Sequence, residues 1–379
     1  MPQKECFGFN SVNSLRKILA SHNPTSIFLV TGKASYEKSG AKAALGKILK
    51  NFNIARFCDF EENPKIENIK KGIKIFKKYK CGFVVAAGGG VAIDIAKSVN
   101  ILSVNSESPK DYIFKKKLIQ KKGKPLVAIP TTAGTGSEAT KFVVVYIDKT
   151  KYSLEHDFIL PDYAIVDPQF TMSLPGYVTA STGMDALSQA IESYWSVNST
   201  NLSKKYAGKA IQLAIKNLPI AVNNPSRKSR EAMSKAAHLA GKAINITRTT
   251  APHAISYPIT SYFSVPHGHA VALTLASVLK YNSQVTEQDL LDKRGITYVK
   301  KNINKIVNLL GAGNIDEACN KIKNLMAEIG LSAKLSGLGM AKRGSLDLII
   351  KHGFNPSRIN NNPRRLTEEV LRKMLNDLM

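Results

Sequence analysis

Three continuous apolar runs punctuate the first half of the chain. Ser26–Thr31 reads Ser-Ile-Phe-Leu-Val-Thr and stops at Gly32; residues 82–87 read Gly-Phe-Val-Val-Ala-Ala and stop at Gly88; residues 126–129 stop at Pro130. Runs this short, apolar at every position rather than at alternate ones, predict strands covered on both faces, as in a parallel sheet flanked by helices. Helix-period segments between them complete that pattern. A β-rich stretch follows at 142–146 and 163–166. After Asp167-Pro168 the character changes, and from Thr179 onward apolar positions recur mainly at helical spacing. The pattern therefore predicts an α/β domain with a parallel sheet over residues 1–174 and an all-α domain over residues 175–379.

Composition narrows the class. A chain of 379 residues exceeds the usual size of one domain, and 44% hydrophobic with 22% charged residues belongs to a folded protein. No apolar run reaches the length of a membrane span, and the N-terminus, Met1-Pro2-Gln3-Lys4-Glu5, lacks the layout of a secretory signal. The four cysteines (Cys6, Cys58, Cys81, Cys319) are far apart and form no CxxC pair, which fits a reducing, cytoplasmic setting without disulfides. The formal charge of +26 would suit a nucleic-acid partner. The lysines, however, are scattered over amphipathic stretches such as 70–80 without interleaved stacking aromatics, so a solvated surface and no nucleic-acid or membrane partner are expected. Steering of anionic substrates is a further consequence of such a charge.

Candidate chemistry begins at the strand ends. Gly88-Gly89-Gly90 follows one strand directly and opens a helix near Val91, a layout that lets backbone N–H groups approach a phosphate closely. The spacing is not GxGxxG, and one glycine would satisfy an ordinary turn. Pro130–Glu138, Pro-Thr-Thr-Ala-Gly-Thr-Gly-Ser-Glu, ends another strand and is dense in hydroxyls: Thr131, Thr132, Thr135 and Ser137. Two such loops at strand ends suit a ligand in the crevice of an open α/β sheet.

These residues carry a resemblance. Gly88 to Lys97 is similar to the GGGSxxDxAK segment of the iron-containing (group III) alcohol dehydrogenases, with Val91 in place of the usual Ser, and Pro130 to Glu138 matches their PTTxGTGSE loop. Phe7-Gly8, Asn63-Pro64, Val166-Asp167-Pro168 and Asn362-Pro363-Arg364 match in order along nearly the whole chain. The resemblance implies a dehydroquinate synthase-like fold, with a nucleotide-binding first domain and a metal-binding second. It also implies dinucleotide contacts from Gly32, Lys33, Gly88, Gly89, Gly90, Asp94, Thr131, Thr132, Thr135 and Ser137. Where NAD-specific members carry an Asp after the first of these strands, this chain has Gly32 and then Lys33. NADP(H) is therefore expected to be accepted, with NAD(H) as the alternative.

Asp185 and Gln189 share one face of a helix by their i, i+4 spacing, and His253 and His267 lie downstream. Carboxylate and imidazole suit Fe(II), Zn(II) or Mn(II), although the spacing alone does not single these residues out. The resemblance implies a metal held at Asp185, Gln189, His253 and His267, with Fe(II) foremost. Gln189 stands where relatives carry histidine, and its amide offers only oxygen, a weaker ligand for iron or zinc. Tyr257 stands one turn after His253, where many members have a histidine. It is a candidate proton donor or a packing aromatic, and His269 is a candidate proton shuttle or a partly exposed loop residue.

The segments 181–189 and 241–257 are similar to the phosphonoacetaldehyde reductase (hydroxyethylphosphonate dehydrogenase) branch. That implies a small aldehyde or alcohol substrate bearing a phosphonate, with Arg248, Thr249, Lys141 and Lys151 as candidate contacts. The alternatives are a general short-chain alcohol or lactaldehyde dehydrogenase, a non-redox dehydroquinate-synthase-like member, and a binding protein with a degenerate metal site. A homodimer is expected.

Overall fold

The three apolar runs form the centre of a six-stranded, all-parallel sheet. Its strands are β1 (Lys4–Phe7), β2 (Ser26–Thr31), β3 (Asn53–Phe57), β4 (Phe83–Gly88), β5 (Leu126–Pro130) and β8 (Tyr163–Val166), in the order β1-β8-β5-β4-β2-β3. Every residue of β2, β4 and β5 is buried. Alternate side chains enter two separate cores, as the period of two requires. Phe28, Val30, Val84, Ala86, Leu126 and Ala128 face a core closed by Phe57, Phe76, Ile93 and Val99. Ile27, Leu29, Phe83, Val85, Val127 and Ile129 face another closed by Leu15, Leu45 and Phe170. The edge strands β1 and β3 read Lys-Glu-Cys-Phe and Asn-Ile-Ala-Arg-Phe; their half-polar composition hid them from the hydrophobic pattern. The β-rich stretch after β5 also divides differently. β6 (Phe142–Ile147) pairs with β7 (Thr150–Glu155) as a separate antiparallel ribbon, whereas β8 returns to the main sheet between β1 and β5.

The computed structural model describes residues 2–61, 63–148, 150–340 and 343–379 of the chain. The chain divides into two units, Met1–Leu174 and Pro175–Met379. The second unit is helical and centred on the helix Gly176–Trp195, which is buried almost throughout from Thr179 to Trp195. Around it lie Asn201–Asn223, Arg227–Thr247, Ala251–Phe263 and His267–Ser283. Thr200 and Ser226 begin the first two of these with reciprocal capping boxes. Among the described residues no helix is long and apolar enough to cross a membrane.

Within the first unit, Lys97 on the helix Gly90–Val104 has its ammonium fully buried. It donates to the carbonyls of Ser137 (2.9 Å) and Phe142 (2.7 Å) and to Thr140 Oγ1 (3.1 Å). Burial pulls its pKa down to about 8 against the opposing pull of Asp94 and Glu138. Asp94, one turn earlier, accepts from the Ser137 hydroxyl and from the Val144 N–H at 2.9 Å, so the two residues bind this helix to the 130–138 loop and to β6. Burial raises the Asp94 carboxyl pKa, with Lys97 opposing. Removing one partner of a buried ionic network is expected to cost about 3–5 kcal/mol. Lys97→Met, which keeps the length but strands two carbonyls, should lose stability of that order in urea melts; a loss below about 1 kcal/mol would show that water replaces the ammonium.

Candidate functional site

A cluster of potential ligands forms where three helices of the second unit meet. Asp185 lies in the middle of Gly176–Trp195, His253 is the third residue of Ala251–Phe263, and His267 is the first of His267–Ser283. Their donor atoms all lie within 4.8 Å of one another. The Asp185 Oδ1 to His253 Nε2 separation is 3.3 Å. Two ligands held about 2.1 Å from a tetrahedral ion would stand about 3.4 Å apart, so the residues fit a divalent metal. Gly268 permits the approach: a Cβ there would overlap the Ser181 carbonyl oxygen and lie 2.8 Å from the Asp185 Cβ. Any other residue would push the helix bearing His267 away from the helix bearing Asp185.

The sequence reading missed the residue that organises this cluster. Glu192 is completely buried, one helical turn past Gln189 on the same face. Its carboxylate accepts from the Thr250 N–H (2.7 Å) and hydroxyl (2.9 Å) and from His253 Nδ1. Trp195 Nε1 closes the network on the Thr250 hydroxyl at 2.9 Å. The usable signal was the spacing Asp185, Gln189, Glu192, which places a second carboxylate on the ligand-bearing face. A carboxylate on Nδ1 sets the tautomer that leaves Nε2 to bind a metal. Burial disfavours the His253 imidazolium, yet Glu192 and Asp185 together outweigh it and hold its pKa at about 9. Burial also raises the Asp185 pKa, but hydrogen bonding and charge from His253 and His267, with Gln189 assisting, bring the carboxyl below its usual range.

Gln189 sits within this cluster and donates Nε2–H to Asp185 Oδ1 at 3.0 Å. With that orientation its nitrogen, not its oxygen, faces the carboxylate; ligation through oxygen requires the amide to turn over. The Tyr257 ring is 6.3 Å from that of His267, and its hydroxyl accepts from Arg358 Nε at 3.2 Å. The partly exposed loop position expected for His269 is not where the structure places it. It is buried at 1% exposure in the first turn of a helix, not in a loop. Residues two apart on a helix point about 200° from each other, so it faces away from the cluster. Nε2 donates to the Ser332 carbonyl (2.7 Å) and Nδ1 meets the Tyr177 hydroxyl (3.3 Å), so both ring nitrogens have partners outside the cluster.

Arg248 is exposed and caps the helix Arg227–Thr247 at φ 60°, ψ 177°, a region almost reserved for glycine. The neighbouring atoms impose it: the Arg248 N–H donates to Ile244 O (2.8 Å), Thr247 Oγ1 donates to the Arg248 carbonyl (2.8 Å), and Asn361 Nδ2 donates to the carbonyl of buried Thr249 (2.9 Å). Lys141 and Lys151 belong to the first unit. Lys141 pairs with Asp157 at 3.0 Å beside the β6–β7 ribbon, and Lys151 lies on β7.

The glycine-rich turns lie at the C-terminal ends of adjacent parallel strands. Thr131 N–H donates to the Gly88 carbonyl at 3.0 Å, joining the ends of β5 and β4. A Cβ at Gly90 would lie 2.8 Å from the Thr135 side chain, so glycine lets the two loops touch. Gly89, Gly90, Thr132 and Thr135 are partly exposed there, at the N-terminus of Gly90–Val104, which suits a phosphate. Asp94 and Ser137, by contrast, are buried and hydrogen-bonded to each other, so their measurable role is to shape this lip from behind.

Residues 2–168 match the family model for iron-containing alcohol dehydrogenase, and residues 179–379 match its C-terminal domain. Long-chain-alcohol dehydrogenase 1 of Geobacillus thermodenitrificans is 33% identical over 81% of this chain and 77% of its own. The NADPH-dependent butanol dehydrogenase of Clostridium saccharobutylicum is 28% identical over 99% of this chain and 96% of its own. The crystal structure of sulfoacetaldehyde reductase from Bifidobacterium kashiwanohense in complex with NAD+ is 31% identical. It superimposes with a TM-score of 0.88 over 100% of this chain and 97% of that one.

Losing a carboxylate partner of a ligating histidine typically lowers metal affinity about 10–100-fold. Glu192→Gln should do so for Fe(II) or Zn(II), and Gln189→His should tighten binding, both read as bound metal per chain after competition with a chelator. Unchanged retention in Glu192→Gln would remove it from the metal site.

Proposed function

Because the chain belongs to the iron-containing alcohol dehydrogenase family, whose members are NAD(P)-linked oxidoreductases, we propose that it reduces a short aldehyde bearing an anionic group. The proposed reaction converts phosphonoacetaldehyde to 2-hydroxyethylphosphonate with NADPH. Arg248 is the observation that carries the anionic part of this reading. Arg248 is an exposed cation on strained backbone, two residues before the Thr250 that binds Glu192, and a guanidinium suits a phosphonate by paired, charge-assisted hydrogen bonds. Similarity to a reductase of sulfoacetaldehyde, also a two-carbon aldehyde with an anionic tail, supports it. Likeness to dehydrogenases named for long-chain alcohols and butanol favours the second reading, a general alcohol dehydrogenase acting on neutral substrates.

In this reading Asp185, His253 and His267 would hold a divalent ion, and Gln189, on the same helix face as Asp185, could offer its amide oxygen as well. Such an ion would supply Lewis-acid polarisation of a carbonyl oxygen, and a bound nicotinamide would supply the hydride. Glu192 keeps the His253 lone pair aimed into the site, while Gly268 sets the distance between the two helices that carry Asp185 and His267. Tyr257, oriented by Arg358, donates the proton that completes the alcohol. The protein works as a cytoplasmic homodimer.

Two measurements test the reading. A charge-assisted hydrogen bond contributes about 1.5–3 kcal/mol, so Arg248→Ala should raise KM for phosphonoacetaldehyde about 10–100-fold and leave butyraldehyde within about twofold. Equal effects on both aldehydes would favour the general dehydrogenase. For the cofactor, kcat/KM should be higher with NADPH than with NADH. Gly32→Asp should reverse that order, because a carboxylate at this strand end repels a 2′-phosphate.

A further inference from the structure

We propose that Arg56, on β3, is the residue that recognises the 2′-phosphate of the dinucleotide, an inference that rests on the NADP(H) reading above. β3 runs parallel to β2 at the sheet edge, with Arg56 paired in register with Leu29. The Arg56 side chain extends to the C-terminal end of β2. There Nε donates to Thr31 Oγ1 at 2.9 Å and Nη2 donates to the Gly32 carbonyl at 3.2 Å. The guanidinium lies over the ring of buried Tyr36, 4.9 Å from its centroid. Two hydrogen bonds and a stacking platform thus fix a planar fork, while Arg56 itself remains exposed. Among the described residues no hydrogen bond from Nη1 adds to these two, and the guanidinium lies at the C-terminal end of β2, the end of a parallel strand at which an adenosine ribose binds in open α/β sheets.

The surroundings favour a dianion over a hydroxyl. No carboxylate occupies position 32; the Ser35 hydroxyl stands where a Cβ on Gly32 would fall. Lys33 and Lys71 both reach Asp59, at 3.6 Å and 3.2 Å, and together hold its carboxyl below the usual range. Two lysines thus share one carboxylate close in sequence to Arg56 and Gly32. A phosphate can take a paired donation from the guanidinium and compete with Asp59 for Lys33, whereas a ribose hydroxyl gains one neutral-acceptor bond. Arg56 also contacts Tyr36 and Thr31, so a purely structural role has to be separated from recognition.

The test is equilibrium binding to the metal-loaded protein, with NADPH, NADH, 2′,5′-ADP and 5′-AMP as probes and the melting temperature as a control for folding. Wild type should bind NADPH more tightly than NADH. Arg56→Gln should weaken NADPH and 2′,5′-ADP about 10–100-fold while leaving NADH, 5′-AMP and the melting temperature unchanged. Arg56→Lys, which keeps charge but loses the fork, should fall between. A wild type without NADPH preference overturns the cofactor reading and this inference with it. A preference that survives in Arg56→Gln overturns the inference alone. Equal loss of NADH and NADPH affinity makes the residue structural and also overturns it.

Discussion

A carboxylate taken wholly out of water is tolerated only when hydrogen bonds replace its hydration, and Glu192 meets that demand from a single short segment. The Thr250 N–H and hydroxyl and the His253 imidazole all turn toward it. Because Thr250 precedes the helix Ala251–Phe263 directly, the same bonds that satisfy Glu192 fix where that helix starts and how it rotates about its axis. His253 then has no freedom to choose which nitrogen faces Asp185. The metal-binding geometry is in this sense a consequence of burying one acid.

The other half of the cluster is set by volume rather than charge. Gly268 allows the helix His267–Ser283 to lie against the Ser181 carbonyl, and this contact brings His267 beside Asp185. On the same helix His269 is carried to the opposite side, where Ser332 and Tyr177 fix its ring. Two histidines two residues apart in the sequence therefore have separate fates, decided by helical geometry. Strain enters at Arg248, between the helix that ends at Thr247 and the segment anchored by Thr250; its backbone angles are the product of constraints on both sides.

The first unit applies a different principle to the same end. Lys97 and Asp94 are charges buried without a ligand of their own, and their partners are the backbone and hydroxyls of the 130–138 loop and β6. A loop rich in Gly and Thr has many conformations available when unfolded, and these bonds select one. The partly exposed lip at Gly89, Gly90, Thr132 and Thr135 is shaped from behind by residues committed to each other.

Much of this was legible from residues alone, for a physical reason in each case. Continuous apolar runs identified β2, β4 and β5 because strands covered on both faces can carry little else, and the switch to helical period near residue 175 followed from the same rule. The resemblance to iron-containing alcohol dehydrogenases named Asp185, His253 and His267, which the fold brings together. The edge strands escaped because one side of an edge faces solvent and relaxes the pattern. Glu192, Gly268 and Arg56 were not singled out because their significance lies in what stands opposite them: an imidazole from another helix, a carbonyl that leaves no space for a Cβ, and the end of a neighbouring strand. Residue types and their periodicity determine which elements form and which face of each is buried. Only the tertiary structure decides which side chains from distant elements share a hydrogen bond or a few ångströms of space, because that depends on helix rotation and strand order.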